Sequence, residues 1–156
     1  MSTNLSSVLP RGLRNNNPLN IRKYDHNDWY GKITDSASTD QQFEQFRDPK
    51  FGFRAAFILI HRYIKNGYKS VRDIITRWAP PSDGNYTESY IKTVCDYTGF
   101  NDFEEIEPYK FSKMSALVEA MFYVENGVRI YELPDKLFWY EALNAGYDLY
   151  VERFVH

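Results

Sequence analysis

Cysteine is nearly absent: Cys95 is the single one in a chain of 156 residues. That excludes an internal disulfide framework and a cysteine-based metal site. Histidine is also sparse, and His26, His61 and His156 are too scattered to suggest zinc. No apolar run approaches the roughly 20 residues that span a bilayer. The first residues lack a charged start followed by an apolar stretch, so no secretory signal is expected. A target outside the cytoplasm would then have to be reached by delivery. Low-complexity tracts and internal repeats are missing, and no metal or organic cofactor is implied.

What is present is aromatic. Tyr, Phe and Trp make up 17% of the chain, enough to line a core amphipathically, and the length suits a single domain. Net charge is −2, but the halves differ. Residues 1–77 carry 13 Lys/Arg against 7 Asp/Glu, whereas residues 78–156 carry 6 against 14. A positive half can meet an anionic polymer; equally, two opposed halves can attract each other within one fold.

The densest signal is Arg11-Gly12-Leu13-Arg14-Asn15-Asn16-Asn17-Pro18-Leu19-Asn20-Ile21-Arg22. Asparagines broken by a proline fit neither a helix nor a strand. Asn tolerates left-handed backbone and closes turns through its amide. An irregular loop held by side-chain hydrogen bonds is therefore expected, close to the aromatic Trp29-Tyr30-Gly31. Amides beside aromatic faces suit a sugar chain; a well-capped turn without a ligand is the plain alternative.

The rest of the chain reads as mainly helical (α+β), with a small hairpin near the front. Lys32–Thr34 and Gln42–Phe46 are expected to pair around the polar turn 35–40. Asp48-Pro49 opens a helix to about Lys65, with Phe53, Ala56, Phe57, Ile60 and Ile64 on one face. Ser70 caps a short helix through Trp78, and Pro80-Pro81 ends it. Another helix runs from about Thr87 to Tyr97, and Ser112 is expected to cap one from Lys113 to Asn126. A last helical stretch covers 138–154, with Gly146 weakening its middle.

Glu125 continues the apolar stripe of Met114, Val118, Met121 and Phe122 into the last turn of its helix. Burial and the negative helix end both oppose a charge there, so its pKa should rise. A carboxyl that keeps its proton near neutrality can donate to a leaving oxygen, as glycoside hydrolysis requires. The plain alternative is a helix-end acid paired with an arginine such as Arg129.

Residues 11–127 resemble a family of phage virion and lysis-associated proteins. The likeness rests on the Arg11–Arg22 segment, Trp29-Tyr30-Gly31, Phe43-Glu44-Gln45-Phe46, Gly52-Phe53-Arg54-Ala55, Ile74–Pro81, Asn85–Tyr90 and Glu125-Asn126-Gly127, in that order. This family is similar to the lysozyme-like peptidoglycan hydrolases. The chain also resembles bacterial wall glucosaminidases, whose catalytic Glu precedes a small residue and a glycine. Their Asn-x-Phe-Gly-Ile, Trp-x-Gly, Phe-x-x-Tyr and Tyr-x-Thr-Asp segments correspond here to Asn17–Ile21, Trp29–Gly31, Phe43–Phe46 and Thr87–Tyr90. The helix bearing Glu125 comes last instead of first, which implies a circularly permuted lysozyme-like domain. Asn126 departs from the usual serine or threonine, and Leu19 from the phage family's glycine.

The resemblance implies a domain over 11–130, preceded by a loose segment 1–10 and followed by a helical extension 131–156. It implies bacterial peptidoglycan as substrate and Glu125 as the general acid, with Tyr90 and Thr87 steadying sugar or water. Asn17, Asn20, Trp29 and Asn85 are expected to bind the sugar. Glu44 is the first candidate for a second carboxylate, with Asp48 and Asp28 as others. The protein would be phage-encoded, acting on the host wall or riding in the virion. Two rivals stand beside this reading. One is a non-catalytic virion or wall-binding module of the same fold. The other is a nucleic-acid binder using Arg11, Arg14, Arg22, Lys23, Arg54 and Arg62, for which no recognisable motif speaks.

Overall fold

A computed structural model describes residues 9–24 and 27–155. Most of the expected loose segment 1–10 thus lies outside the described residues. The front of the chain makes one helical turn, α1 (Arg11–Arg14), which the asparagine pattern does not announce. Beyond it the chain is irregular, with Asn16 and Asn20 in left-handed backbone at φ 53° and 56°. Asparagine adopts that region at little cost, which is why it fills this loop.

The expected hairpin does not form, and no strand occurs among the described residues. The segment 42–47 is instead pinned from two sides by isolated antiparallel bridges, Arg22 to Phe43 and Lys32 to Phe46. Side chains explain why no ladder grows. Asp40 accepts from the Gln42 and Phe43 N–H groups, and Gln45 Oε1 accepts from the Thr39 N–H. Asp40 also takes two hydrogen bonds from Arg11 and one from Asn15. Backbone donors of the polar turn are thus occupied locally instead of crossing to a partner strand.

Local capping fixes the helices that follow. Asp48 accepts from the Lys50 N–H and Pro49 starts α2 (Pro49–Lys65). Ser70 accepts from the Asp73 N–H at the start of α3 (Val71–Trp78). A 3₁₀ turn, Pro81–Asp83, leads to α4 (Thr87–Thr98), which Gly99 closes in left-handed backbone. Next comes α5 (Phe111–Asn126); it begins before Ser112, and its flanking Lys110 provides no side-chain cap, so the expected serine cap is not used. A second 3₁₀ turn, Ile130–Glu132, precedes α6 (Lys136–Val155).

The centre of the fold is α2, whose Phe53, Phe57, Ile60 and Ile64 are buried together with Ala55, Ile58 and His61. Each large apolar side chain removed from water contributes about 1.5–3 kcal/mol. The most extensive helix contact is between α2 and α6. Gly146 makes it possible: a Cβ there would sit 2.6 Å from Phe53 Cβ and 2.8 Å from the Lys50 carbonyl. The glycine that weakens the helix locally is what lets two backbones approach. Trp139, Ala142, Leu143, Tyr147 and Tyr150 of α6 therefore share one core with the rest. Among the described residues no helix is long and apolar enough to cross a membrane.

Candidate active site

Three elements converge on one carboxyl group. Glu125 lies in the last turn of α5, where the buried stripe of Met114, Val118, Met121 and Phe122 delivers it. Tyr90, one turn into α4, donates its hydroxyl to Glu125 Oε2 at 2.9 Å. Trp78, the last residue of α3, directs its indole Nε1 at the same oxygen from 3.4 Å. From the asparagine loop, Asn20 Nδ2 donates to Oε1 at 3.1 Å and to the Glu125 carbonyl at 3.3 Å. That carbonyl belongs to the helix end, where no intrahelical donor remains.

The loop is clamped to this helix end. Asn126 Nδ2 donates to the Pro18 carbonyl at 2.8 Å and to the Phe122 carbonyl at 3.0 Å. Beneath lies Gly12, whose Cβ, if it had one, would fall 2.5 Å from Asn126 Oδ1 and 3.0 Å from Asn20 Oδ1. Only a hydrogen fits there, so Gly12 sets how closely the loop approaches the acid.

Burial pushes the Glu125 pKa up, while the donors Asn20, Tyr90 and Trp78 and the charge of Arg22 pull it down. Burial prevails, and the carboxyl holds its proton above the ordinary range. The expected raised pKa is therefore present, and the alternative pairing with Arg129 is not: that guanidinium binds Glu132 at 3.2 Å. Tyr90 is raised well above its usual value by burial, then by the adjacent Glu125, so it stays a donor.

Glu125 faces a cleft with a cavity of about 170 Å³. Tyr24, Phe43, Tyr63 and Trp78 supply aromatic walls, and Asn20, Asn27, Asn85, Arg22 and Asp83 supply polar groups. Arg22 lies over the Phe43 ring at 5.1 Å, and Arg11 at 4.4 Å, which holds that ring in place.

Of the sequence-expected residues, Glu125, Tyr90, Asn20 and Asn85 meet at this cleft. Four others do not. Asn17 is fully buried; its amide donates to the Ile21 and Glu44 carbonyls and accepts from the Ile21 N–H, so it folds the loop and has nothing left for a sugar. Trp29 is buried away from the cleft, under the guanidinium of Arg62. Thr87 is buried and donates to the Ala79 carbonyl at 2.6 Å, tying α4 to the end of α3. Glu44 is 1% exposed and does not line the cleft; Lys32 Nζ approaches it at 3.8 Å. Consecutive residues of extended chain point to opposite sides, so a Phe43 in the cleft sends Glu44 inward.

Sequence reasoning passed over Trp78, Arg22, Phe43, Tyr63 and Asp83. Trp78 had a visible signal: an indole at the last position of a short helix stopped by Pro80-Pro81 has little of that helix left to pack against. Asp83 reads in sequence as turn chemistry, and only the placement of the 3₁₀ turn beside the cleft reveals it.

No known family model matches the chain. Over 141 residues the chain is 34% identical to "Protein P5" of Pseudoalteromonas phage PM2, covering 88% of this chain and 80% of that protein. At that identity and coverage, the chain belongs to the family of phage PM2 Protein P5.

Proposed function

We propose that this protein cleaves a β-1,4 glycosidic bond of bacterial peptidoglycan, with Glu125 as general acid. The observation that carries this reading is a carboxyl with a raised pKa, oriented by three donors at an aromatic cleft. Aromatic faces and amides are the groups a polysaccharide strand is read by, one through its C–H faces and the other through its hydroxyls. The fold is, on this reading, a lysozyme-like domain whose acid-bearing helix comes last in the chain.

In the reaction Glu125 transfers its proton to the glycosidic oxygen as the bond to the anomeric carbon breaks. The sugar left with positive charge is then captured by water, which yields its proton to Asp83 and gives hydrolysis, or by its own hydroxyl, which returns a proton to the Glu125 carboxylate and gives an anhydro product. Among the described residues Asp83 is the other carboxylate lining the cleft, and it replaces Glu44 as the group to orient an attacking water. Tyr90, Trp78 and Asn20 stabilise the carboxylate left after proton transfer, which lowers the barrier to that transfer.

A second reading draws on those same donors. A carboxylate held by three hydrogen bonds also suits a virion or wall-binding module that keeps the cleft and performs no chemistry. Turbidity of outer-membrane-permeabilised Gram-negative cells separates the two. Lysis by the wild type and none by Glu125→Gln supports the hydrolase. Lysis by both removes Glu125 as the acid, and lysis by neither favours the binding module.

A further inference from the structure

A second concave site lies where α2, α6 and the loop around residue 29 meet, enclosing about 300 Å³. Its charge is one-sided. Arg54 and Arg62 stand two turns apart on one face of α2, and Arg153 joins them from α6. Asp28 is the single acid lining it among the described residues. Among the described residues none of the three guanidinium groups makes an ion pair, although eight such pairs form elsewhere. Arg54 lies 5.5 Å from the centre of the Tyr30 ring and Arg62 5.5 Å from that of Trp29, so aromatic faces hold the cations close.

Trp29 is 7% exposed and lines this cavity with its ring. Burial and the facing charges of Arg153 and Arg62 both oppose the Arg54 cation, which an anion in the cavity would relieve.

We propose that this cavity binds a phosphate group, with Arg54, Arg62 and Arg153 supplying the charge. Three cations against Asp28 leave a surplus of two, which a phosphate monoester dianion balances and a single carboxylate does not. Guanidinium forks match phosphate oxygens in bidentate fashion, and three converging guanidinium groups need the three or four oxygens that phosphate offers. The site adjoins the glycan cleft on the next face of α2 but does not depend on how that cleft is used.

The test is thermal unfolding of the full chain in inorganic phosphate against sodium chloride at matched ionic strength. Phosphate should raise Tm saturably beyond chloride, and the Arg62→Gln/Arg153→Gln double variant should lose at least about tenfold in phosphate affinity. In chloride alone Arg153→Gln should melt above the wild type, because it relieves repulsion; a purely structural arginine would lower Tm instead. No rise beyond chloride, or an equal rise in the double variant, overturns the proposal. Phosphatidylcholine vesicles with and without phosphatidic acid then identify the source. Binding to the phosphatidic acid vesicles that the double variant loses assigns a lipid headgroup. A phosphate-induced Tm rise without vesicle binding assigns a soluble phosphate ester, and vesicle binding that survives in the double variant contradicts the site.

Discussion

The Tyr90 hydroxyl donates to Glu125 Oε2 at 2.9 Å, linking the first turn of one helix to the last turn of another. That bond favours the charged carboxylate, so Tyr90→Phe should raise the Glu125 pKa further. For a general acid the basic limb of the pH–activity profile marks loss of its proton. The variant should move that limb to higher pH while activity at the optimum falls about tenfold, the worth of one hydrogen bond in the transition state. A pH profile of wall-lysis rates checks both effects. An unmoved limb would separate Tyr90 from the acid.

Glu125 should also leave a mark on stability. Its proton is held more tightly folded than unfolded. Below the unfolded carboxyl value of about 4.3 both states are protonated and nothing is lost. As pH rises from there through the folded value, the folded state is progressively penalised. Glu125→Gln should therefore melt above the wild type at neutral pH, with the difference closing in acid. Asn20 can turn its amide to present Oδ1 to the new Nε2, since that oxygen has no partner in the wild type. Paired thermal melts from pH 4 to pH 8 read the difference directly.

Asp40 behaves with the opposite sign. The Arg11 guanidinium holds its carboxyl below the usual carboxylate range, with help from Asn15 and two backbone N–H groups. Its contribution is complete above the unfolded value of about 3.9 and is lost as pH falls through the depressed one. Asp40→Asn places an amide against Arg11 and Asn15 where an oxygen accepted from both. The expected cost is about 2 kcal/mol, seen as a lower denaturant midpoint at neutral pH. The gap should narrow in acid.

At Gly146 two effects compete. Alanine improves a helix interior by about 1 kcal/mol. Here, however, its Cβ would fall 2.6 Å from Phe53 Cβ and 2.8 Å from a backbone carbonyl. Overpacking of that kind costs about 1–3 kcal/mol, so Gly146→Ala should destabilise on balance. Chemical denaturation decides it, and a stabilised variant would mean that α6 sits farther from α2 than described.

The helices were legible because their signals are local. Asp48-Pro49, Ser70 and Gly99 mark ends within a few residues, and the stripe leading to Glu125 follows helical period. The failure of the hairpin was not legible, because the Thr39, Gln42 and Phe43 N–H groups go to Gln45 and Asp40 side chains that pattern alone does not pair with them. Side-chain direction was the other gap. Nothing local distinguishes an Asn20 that reaches Glu125 from an Asn17 that serves its own loop. Trp29 and Trp78 look alike as aromatic platforms, yet one is core beneath an arginine and the other holds the acid. Which face of 42–46 turns to the cleft was open to parity alone, and Phe43 takes it at the expense of Glu44.

The most direct test is mass spectrometry of the fragments released from purified peptidoglycan by wild type and by Glu125→Gln at equal folded concentration. The account predicts soluble muropeptides ending at a cut glycosidic bond, reducing or anhydro, from the wild type alone. Intact glycan strands, cuts confined to peptide bonds, or equal release by both proteins would contradict it.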